Sequence, residues 1–164
     1  MTPATETFAL ASRLGELLLQ RGWIVATAES CTGGLIAGAI TDVAGSSGWF
    51  DRGFVTYSNE AKMEMLGVSA KTLAAHGAVS EATAREMVTG ALRNGATLAV
   101  AVTGIAGPAG GTPTKPVGLV WLAFGRRDGP IDAREEHFAG DRAAVRAGTV
   151  RRALEGLIER ASAG

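Results

Sequence analysis

The pattern of apolar and polar residues alternates between helical and strand-like stretches along the chain. Apolar residues at helical spacing predict an amphipathic helix over 6–21, and the short apolar run at 23–28 predicts a buried strand. The same patterns continue to the C-terminus. They predict helices at 33–43, 59–66, 71–75, from Ser80 to about residue 93 and from Asp141 onward, and strands at 54–57, 97–102, 117–124 and 133–138.

The order of these elements is α-β-α-β-α-α-β-β-β-α, which predicts an α/β layered fold with a mixed sheet. The length of 164 residues fits one domain over 1–164. In such folds functional groups gather in the loops that follow the carboxyl ends of strands. The polar segments that leave the predicted strands are therefore the candidates for the functional site.

Composition excludes several classes of function. The chain has 16 basic and 16 acidic residues, so its net charge of zero argues against nucleic acid as a partner. No run of about 18 apolar residues occurs, so we expect no membrane partner. The single cysteine excludes an intrachain disulfide and favours a reducing, cytoplasmic location. The two histidines and this cysteine show no zinc-ligand spacing, and glycine is unusually frequent at 23 residues.

The first polar segment, 29–34, lies between a predicted strand and a predicted helix. A hydroxyl at this point lies near free backbone N–H groups and the positive end of the helix dipole, which can hold a phosphate or an oxyanion. Ser30 is therefore a candidate nucleophile. The alternative is that Ser30 or Thr32 is only an N-cap, and we expect Cys31 to pack rather than react.

The second segment, 57–62, is a candidate source of a base, which a serine nucleophile needs. His76 and His137 are both distant in sequence, and we expect them to be structural or exposed. The chain contains 13 Arg but only three Lys, and only lysine can give up its proton when buried. Lys62 is therefore a candidate base, with a surface helical lysine as the alternative.

The third segment, 103–116, contains a loop rich in glycine and proline that matches neither a dinucleotide fingerprint nor a P-loop. Such a loop can form an anion-binding nest or simply a wide turn. Arg142 opens the last predicted helix, where a cation gains nothing from the dipole. We therefore expect Arg142 to face an anion.

Together the segments resemble the CinA C-terminal domain family over about residues 8–160. The resemblance implies a three-layer α/β/α sandwich with a mixed, mainly parallel sheet. It also implies an amidohydrolase that converts nicotinamide mononucleotide and water into nicotinate mononucleotide and ammonia, a salvage step towards NAD. The motifs that carry it are AESCTGG at 28–34, GSSGWF at 45–50, VTYSNEAK at 55–62, HGAVS at 76–80, VTGIAGP at 102–108, KPVGLVW at 115–121 and FAGDR at 138–142.

The resemblance also implies roles for individual residues, without a metal or other cofactor. Ser30 would be the nucleophile, Lys62 the base and Tyr57 a supporting polar group, with Ser47 as a second hydroxyl to consider. Backbone N–H groups near Thr32 to Gly34, or in the third loop, would stabilise the oxyanion. Residues expected to hold the substrate and its phosphate are Thr32, Gly33, Gly34, Ser47, Thr103, Gly104, Gly107 and Arg142.

Two other functions remain open from the sequence. The first is a catalytically silent module that binds a pyridine nucleotide or regulates another protein. The second, an oxidoreductase, is disfavoured because the dinucleotide fingerprint is missing. In either case a small-molecule nucleotide is the expected partner. We also expect a homo-oligomer, with Trp49 and Phe50 as candidate interface residues.

Overall fold

The computed structural model describes residues 2–163 and places a five-stranded sheet between two layers of helices. Strand β1 lies between β2 and β3 and is parallel to both, while β4 is antiparallel to β3 and β5. The sheet is therefore mixed with a parallel core, as predicted. In the order β2-β1-β3-β4-β5, the strands are β2 Phe50–Val55, β1 Val25–Glu29, β3 Leu98–Gly104, β4 Leu119–Arg126 and β5 Ile131–His137.

The helices form the two outer layers of the sandwich. Helices α1, α2 and α6 pack against one another over one face of the sheet, and α5 covers the other face with α3 and α4 packed beside it. Their bounds are α1 Pro3–Arg21, α2 Leu35–Thr41, α3 Asn59–Leu66, α4 Ala70–His76, α5 Glu81–Ala91 and α6 Arg142–Ser162. One turn of 3-10 helix at Ser46–Gly48 precedes β2.

Side chains along the central strands alternate between two buried clusters. In β3, Val100 and Val102 face α1 and α6, whereas Ala99 and Ala101 face α5. This alternation follows from the strand period of two. The central strands are thus buried on both faces, so that their ends, rather than their faces, are free to carry chemistry.

Side-chain caps fix where five of the helices begin, and three of these caps bear on the site or on the predictions. Ser58, Ser80 and Asp141 each accept a hydrogen bond from a backbone N–H in the first turn of α3, α5 and α6, respectively. The predicted caps at Ser80 and Asp141 are therefore confirmed. The cap at Ser58 starts α3 at Asn59, which places Lys62 in the first turn of that helix, close to the end of β2.

The predicted strand at 54–57 is wrong, because β2 begins four residues earlier. This strand lies at the edge of the sheet, where the exposed Asp51 and Arg52 interrupt the apolar pattern. The expected interface role of Trp49 is also wrong. Its side chain is only 1% exposed and its ring lies so close to Gly15 that an added Cβ there would come within 2.7 Å.

The remaining boundaries agree to within three residues, and both ends of α3 match the prediction. Helix α2 starts at Leu35 rather than residue 33 because Gly33 and Gly34 adopt positive φ angles of 57° and 103°. Strand β3 continues to Gly104, so Thr103 belongs to the strand end and not to the loop. Within residues 2–163, none of the helices has the length and apolar character that a membrane span requires.

Candidate active site

The carboxyl ends of the three parallel strands meet at one edge of the sheet. A cavity of about 290 Å³ lies there, between the ends of these strands and the loop that follows β3. We call it the Ser30 cavity. Seven of the predicted site residues line it: Ser30, Tyr57, Lys62, Thr103, Gly104, Gly107 and Arg142.

Ser30 and Lys62, 32 residues apart in sequence, are in direct contact. Ser30 follows β1, and its backbone N–H donates to Val102 O of β3 at 3.1 Å. Lys62 Nζ donates to Ser30 Oγ at 3.0 Å and to Thr56 O at 2.8 Å. The Lys62 side chain is only 1% exposed, and burial lowers its pKa from the ordinary value of 10.5. The arrangement therefore favours a neutral amine beside a hydroxyl.

The start of α2 is occupied by the buried carboxylate of Glu29, at the end of β1. It accepts four hydrogen bonds, so the donors there are already engaged by an internal anion. Gly33 N–H is engaged as well, by Ser30 O at 3.0 Å. The donors to Glu29 are Thr32 Oγ1 at 2.5 Å, Gly34 N at 3.2 Å, Ile36 N at 2.9 Å and Ala37 N at 3.0 Å.

This arrangement bears on the expected substrate site in the 29–34 segment. Gly33 and Gly34 do not line the Ser30 cavity, and their N–H groups already have partners within the protein, so these contacts give no support to the prediction that they hold the substrate. The Thr32 hydroxyl is likewise used by Glu29. Among the residues that the structure describes, no acceptor from another residue is found for the backbone N–H groups of Cys31 and Thr32. Only these two donors remain in the segment.

Arg142 joins the end of β2 to the glycine loop. Its Nη1 donates to Gly107 O at 2.9 Å, and its Nη2 donates to Tyr57 OH at 3.0 Å. No ion pair connects Arg142 to a carboxylate in the described part of the chain. Because a guanidinium carries five N–H donors, Arg142 keeps donors for an anion in the cavity.

Thr103 and Gly104 shape the wall of the cavity. Thr103 Oγ1 donates to Ala78 O at 2.9 Å, which fixes Ala78 and Val79 as an apolar side of the cavity. Gly104 is required by strand packing, because an added Cβ would lie 2.5 Å from Val120 Cγ2. This residue therefore lines the cavity through its backbone.

The structure places Ser47 outside the Ser30 cavity. Ser47 lies before β2, whereas the cavity lies after β1, and these parallel strands run in the same direction. The exposed Ser47 is thus at the opposite edge of the sheet, and its expected place in the site is wrong. The two exposed histidines do not line the cavity either, as expected.

Cys31 lines the cavity but does not present a thiolate. Its side chain belongs to the buried core, and burial is the main cause that raises its pKa from 9.0 to about 11. The predicted packing role is therefore confirmed. Within residues 2–163, no cluster of three or more His, Cys, Asp or Glu side chains is arranged to hold a metal ion.

Sequence reasoning gave no role to Glu29, Ala78, Val79 or Arg146. Arg146 lies one turn after Arg142 and donates to Cys31 O at 3.2 Å and Thr32 O at 3.4 Å. A signal for Glu29 was present, since an acid between a buried strand and a helix start is well placed to satisfy that helix. The apolar wall lies within HGAVS, a motif whose chemistry is not visible from residue type.

The comparisons with known proteins identify the family and the fold. Residues 7–161 match the model of the CinA C-terminal domain. A relative from Escherichia coli K12 is 54% identical over 154 residues, 93% of each chain, and one from Pseudomonas putida is 53% identical over 161 residues, 97% of this chain and 98% of the relative. Both are named nicotinamide-nucleotide amidohydrolase PncC. The crystal structure of a competence/damage inducible protein from Agrobacterium tumefaciens superposes with a TM-score of 0.92 at 53% identity, covering 94% of each chain.

Proposed function

The chain belongs to the CinA C-terminal domain family, and we propose that it hydrolyses the carboxamide of nicotinamide mononucleotide to give nicotinate mononucleotide and ammonia. Relatives that align over nearly their whole length are named for this amidohydrolase activity. One observation carries the proposed mechanism: the 3.0 Å contact between Ser30 Oγ and Lys62 Nζ inside a cavity at the ends of the strands.

The first step uses Ser30 as nucleophile and Lys62 as base. Neutral Lys62 takes the hydroxyl proton, and Ser30 Oγ bonds to the carboxamide carbon. A serine is weak until a neighbouring base removes its proton, and a lysine can act only when it is neutral. Burial shifts Lys62 towards that condition, because it lowers the pKa of the amine and disfavours its ammonium form.

The negative charge that develops on the carboxamide oxygen needs donors close to Ser30. The N–H groups of Cys31 and Thr32 are the candidates, since they are the donors left over in this turn. The N–H that follows a nucleophile is used in this way in other serine hydrolases. Each such donor contributes on the order of 3 kcal/mol to transition-state stabilisation.

The second half of the reaction releases ammonia and restores the serine. The proton held by Lys62 passes to the carboxamide nitrogen, the C–N bond breaks and ammonia leaves the acyl-enzyme. Water then gives a proton to Lys62 and its oxygen bonds to the acyl carbon. Cleavage of the ester returns the proton to Ser30 and releases the carboxylate, so one water is consumed for each ammonia formed.

Recognition of the substrate would use the opposite walls of the cavity. Ala78 and Val79 offer an apolar surface for the flat pyridinium ring. Arg142 offers the unpaired charge for the phosphate and is oriented by Gly107 O and Tyr57 OH. These contacts give Tyr57 a supporting role through Arg142 rather than through Lys62.

The location, assembly and domain organisation of the protein remain predictions. The buried free thiol of Cys31 supports a reducing, cytoplasmic compartment. The exposed side chains of Phe8 and Leu35 beside one shallow groove support an interface between copies of the chain. Light scattering behind size exclusion measures the mass in solution, and the homo-oligomer expectation fails if that mass is 16.7 kDa.

The experiment that tests the function is ammonia release from nicotinamide mononucleotide by purified protein treated with a chelator. We expect one ammonia and one nicotinate mononucleotide per turnover, with a rate that the chelator does not change. Binding seen as a thermal shift without any ammonia would instead favour the silent nucleotide-binding module.

A further inference from the structure

We propose that Glu29 is a positioning residue for the Ser30–Lys62 pair, which it holds together through both its side chain and its backbone. This inference rests on the proposed function, because it assigns a purpose to the geometry of that pair. Glu29 touches neither reacting atom, and its exposed fraction is 0%. Its effect would therefore be exerted through Ser30 and Lys62.

The side chain of Glu29 closes the turn that carries Ser30. The Thr32 hydroxyl donates back to the carboxylate at 2.5 Å, so Ser30 and Cys31 lie inside a ring closed by one hydrogen bond. Donors from Ile36 and Ala37 attach the same carboxylate to the first turn of α2 at 2.9 and 3.0 Å. The direction in which Ser30 Oγ leaves the backbone is thereby fixed against a helix.

The backbone of Glu29 reaches the other member of the pair. Glu29 O accepts from Thr56 N at 2.8 Å, and Thr56 O accepts from Lys62 Nζ at 2.8 Å. Because Lys62 Nζ also donates to Ser30 Oγ at 3.0 Å, these bonds and the peptide link from Glu29 to Ser30 close a second ring. Contacts of Glu29 thus help to position both Ser30 Oγ and Lys62 Nζ.

A helix start alone does not explain a buried carboxylate at this position. Helices α3, α5 and α6 begin with one short side chain at the N-cap, whereas the N-cap of α2 is Gly34. Burying a carboxylate carries a desolvation penalty that a neutral cap avoids. A serine at the cap would satisfy such a short helix but would not close the turn around Ser30.

The test measures the reactivity of Ser30 without the nucleotide substrate. A small arylsulfonyl fluoride forms a bond between its sulfur and Ser30 Oγ, with loss of fluoride while the hydroxyl proton passes through Lys62 to solvent. The rate is followed by the mass of the peptide that contains residue 30. Ser30→Ala defines the background, and an exposed serine such as Ser47 gives the rate of an unactivated hydroxyl.

Three variants separate positioning from stability. Glu29→Gln keeps the size of the side chain, but its amide NH₂ group faces a backbone N–H group that donated to the carboxylate. Leu157→Ala lowers stability by opening the core far from the cavity. Thr32→Val removes only one of the four hydrogen bonds and covers the case in which Glu29→Gln does not fold.

The proposal predicts a split between reactivity and stability. At a temperature at which circular dichroism shows every variant folded, Glu29→Gln should slow the labelling of Ser30 by roughly 10- to 100-fold, as small misplacements of reacting groups do. Thr32→Val should slow it by about threefold or more, and Leu157→Ala should leave it within about twofold. With the nucleotide, Glu29→Gln should lower kcat while KM stays within about threefold.

Labelling of Ser30 at the wild-type rate in Glu29→Gln, or in Thr32→Val if the first variant is unfolded, would overturn the proposal. So would equal slowing in Leu157→Ala, or a wild-type Ser30 no faster than Ser47. Failure of the proposed function looks different. In that case the wild-type Ser30 is labelled rapidly and depends on Glu29, but nicotinamide mononucleotide yields no ammonia.

Discussion

Two buried ionisable side chains, those of Glu29 and Lys62, lie on either side of Ser30, and they differ in how many hydrogen bonds they make. Glu29 and Lys62 are 0% and 1% exposed, respectively. The Glu29 carboxylate accepts four hydrogen bonds from a turn and a helix start. The Lys62 amine makes two, one of them to Ser30 itself. The two side chains are therefore almost equally buried, but the Glu29 carboxylate makes twice as many hydrogen bonds as the Lys62 amine.

This difference in hydrogen bonding indicates that the Lys62 amine, and not the Glu29 carboxylate, is available for chemistry. A buried ion surrounded by donors is stabilised as an ion and holds the structure around it. Lys62 has no carboxylate within ion-pair distance in the part of the chain described by the structure, so no ion pair offsets the effect of burial on it. Its pKa is lowered for that reason, and a neutral amine is what a base requires.

The contrast is tested most strongly by removing the amine and keeping its volume. Lys62→Met should lower kcat for ammonia release by at least about 10³-fold, because the base is lost. Its stability should change by no more than about 1 kcal/mol, since relief from burying the amine offsets the lost bond to Thr56 O. Steady-state kinetics and urea unfolding measure the two. A folded Lys62→Met protein that keeps its activity but loses several kcal/mol of stability would reverse the roles of Lys62 and Glu29.

The lowered pKa of Lys62 predicts how activity depends on pH. Below that pKa the amine is protonated, so kcat/KM should fall about tenfold per pH unit as the pH drops. Stability follows the same ionisation. Between the lowered pKa and 10.5 the unfolded chain binds a proton that the folded chain does not, so the free energy of unfolding should rise with pH in this window.

Cys31 changes the pH dependence of stability in the direction opposite to Lys62, so its contribution must be measured separately. Its pKa is raised from 9.0 to about 11, so above pH 9.0 the unfolded chain loses the thiol proton first and stability falls. Urea unfolding of Cys31→Ala across these pH values isolates the rise due to Lys62. Lys62→Met should abolish the rise, and a slope unchanged in Lys62→Met would show that the amine is not its source.

Removing the charge of Glu29 should affect stability more than removing the charge of Lys62. Glu29→Gln leaves at least one N–H of the α2 start facing an amide donor, a buried mismatch that costs about 1–3 kcal/mol. Urea unfolding at pH 7 measures the loss. If Glu29→Gln were as stable as the wild-type protein, the carboxylate would not be the structural member of the two.

We expect Arg142 to bind the substrate and to have little effect on the Ser30–Lys62 pair. Arg142→Met should raise KM for nicotinamide mononucleotide by roughly tenfold with a smaller change in kcat, because its charge faces the phosphate. The matched control is nicotinamide riboside, which lacks the phosphate. Equal losses on both compounds would contradict an ionic contact to that group.

The smallest effect is expected for the serine that lies at the other edge of the sheet. Ser47→Ala should leave kcat and KM for ammonia release within about twofold, as for exposed substitutions far from a site. This variant separates the two serines considered as nucleophiles from the sequence. A loss approaching that of Lys62→Met would place the chemistry at the wrong end of the strands.

The alternation of layers leaves a strong local signal, whereas the Ser30–Lys62 pair was predicted from a weaker local signal together with the resemblance to the family. Buried strands read as apolar runs, and a rare lysine after a strand is conspicuous in a chain that otherwise uses arginine. The edge strand β2 was misplaced because its exposed face carries polar residues. Once β2 began at Phe50, Ser47 had to lie at the opposite edge from Ser30.

The hydrogen-bond partners of Glu29 could not be predicted from the sequence, for a different reason. Its donors come from residues three to eight positions later, and only the positive φ angles of Gly33 and Gly34 turn the chain so that they meet one carboxylate. Residue types alone show a polar segment but not which polar group is already satisfied. Of the oxyanion donors expected between Thr32 and Gly34, the proposed mechanism therefore keeps only the N–H group of Thr32 and adds that of Cys31.

In the proposed mechanism, Ser30 attacks the carboxamide with Lys62 as its base. The most direct test is the rate of ammonia release from nicotinamide mononucleotide by Ser30→Ala, with its fold checked by circular dichroism. We predict a rate below about one thousandth of the wild-type rate. A folded Ser30→Ala protein that releases ammonia within about tenfold of the wild-type rate would contradict the account.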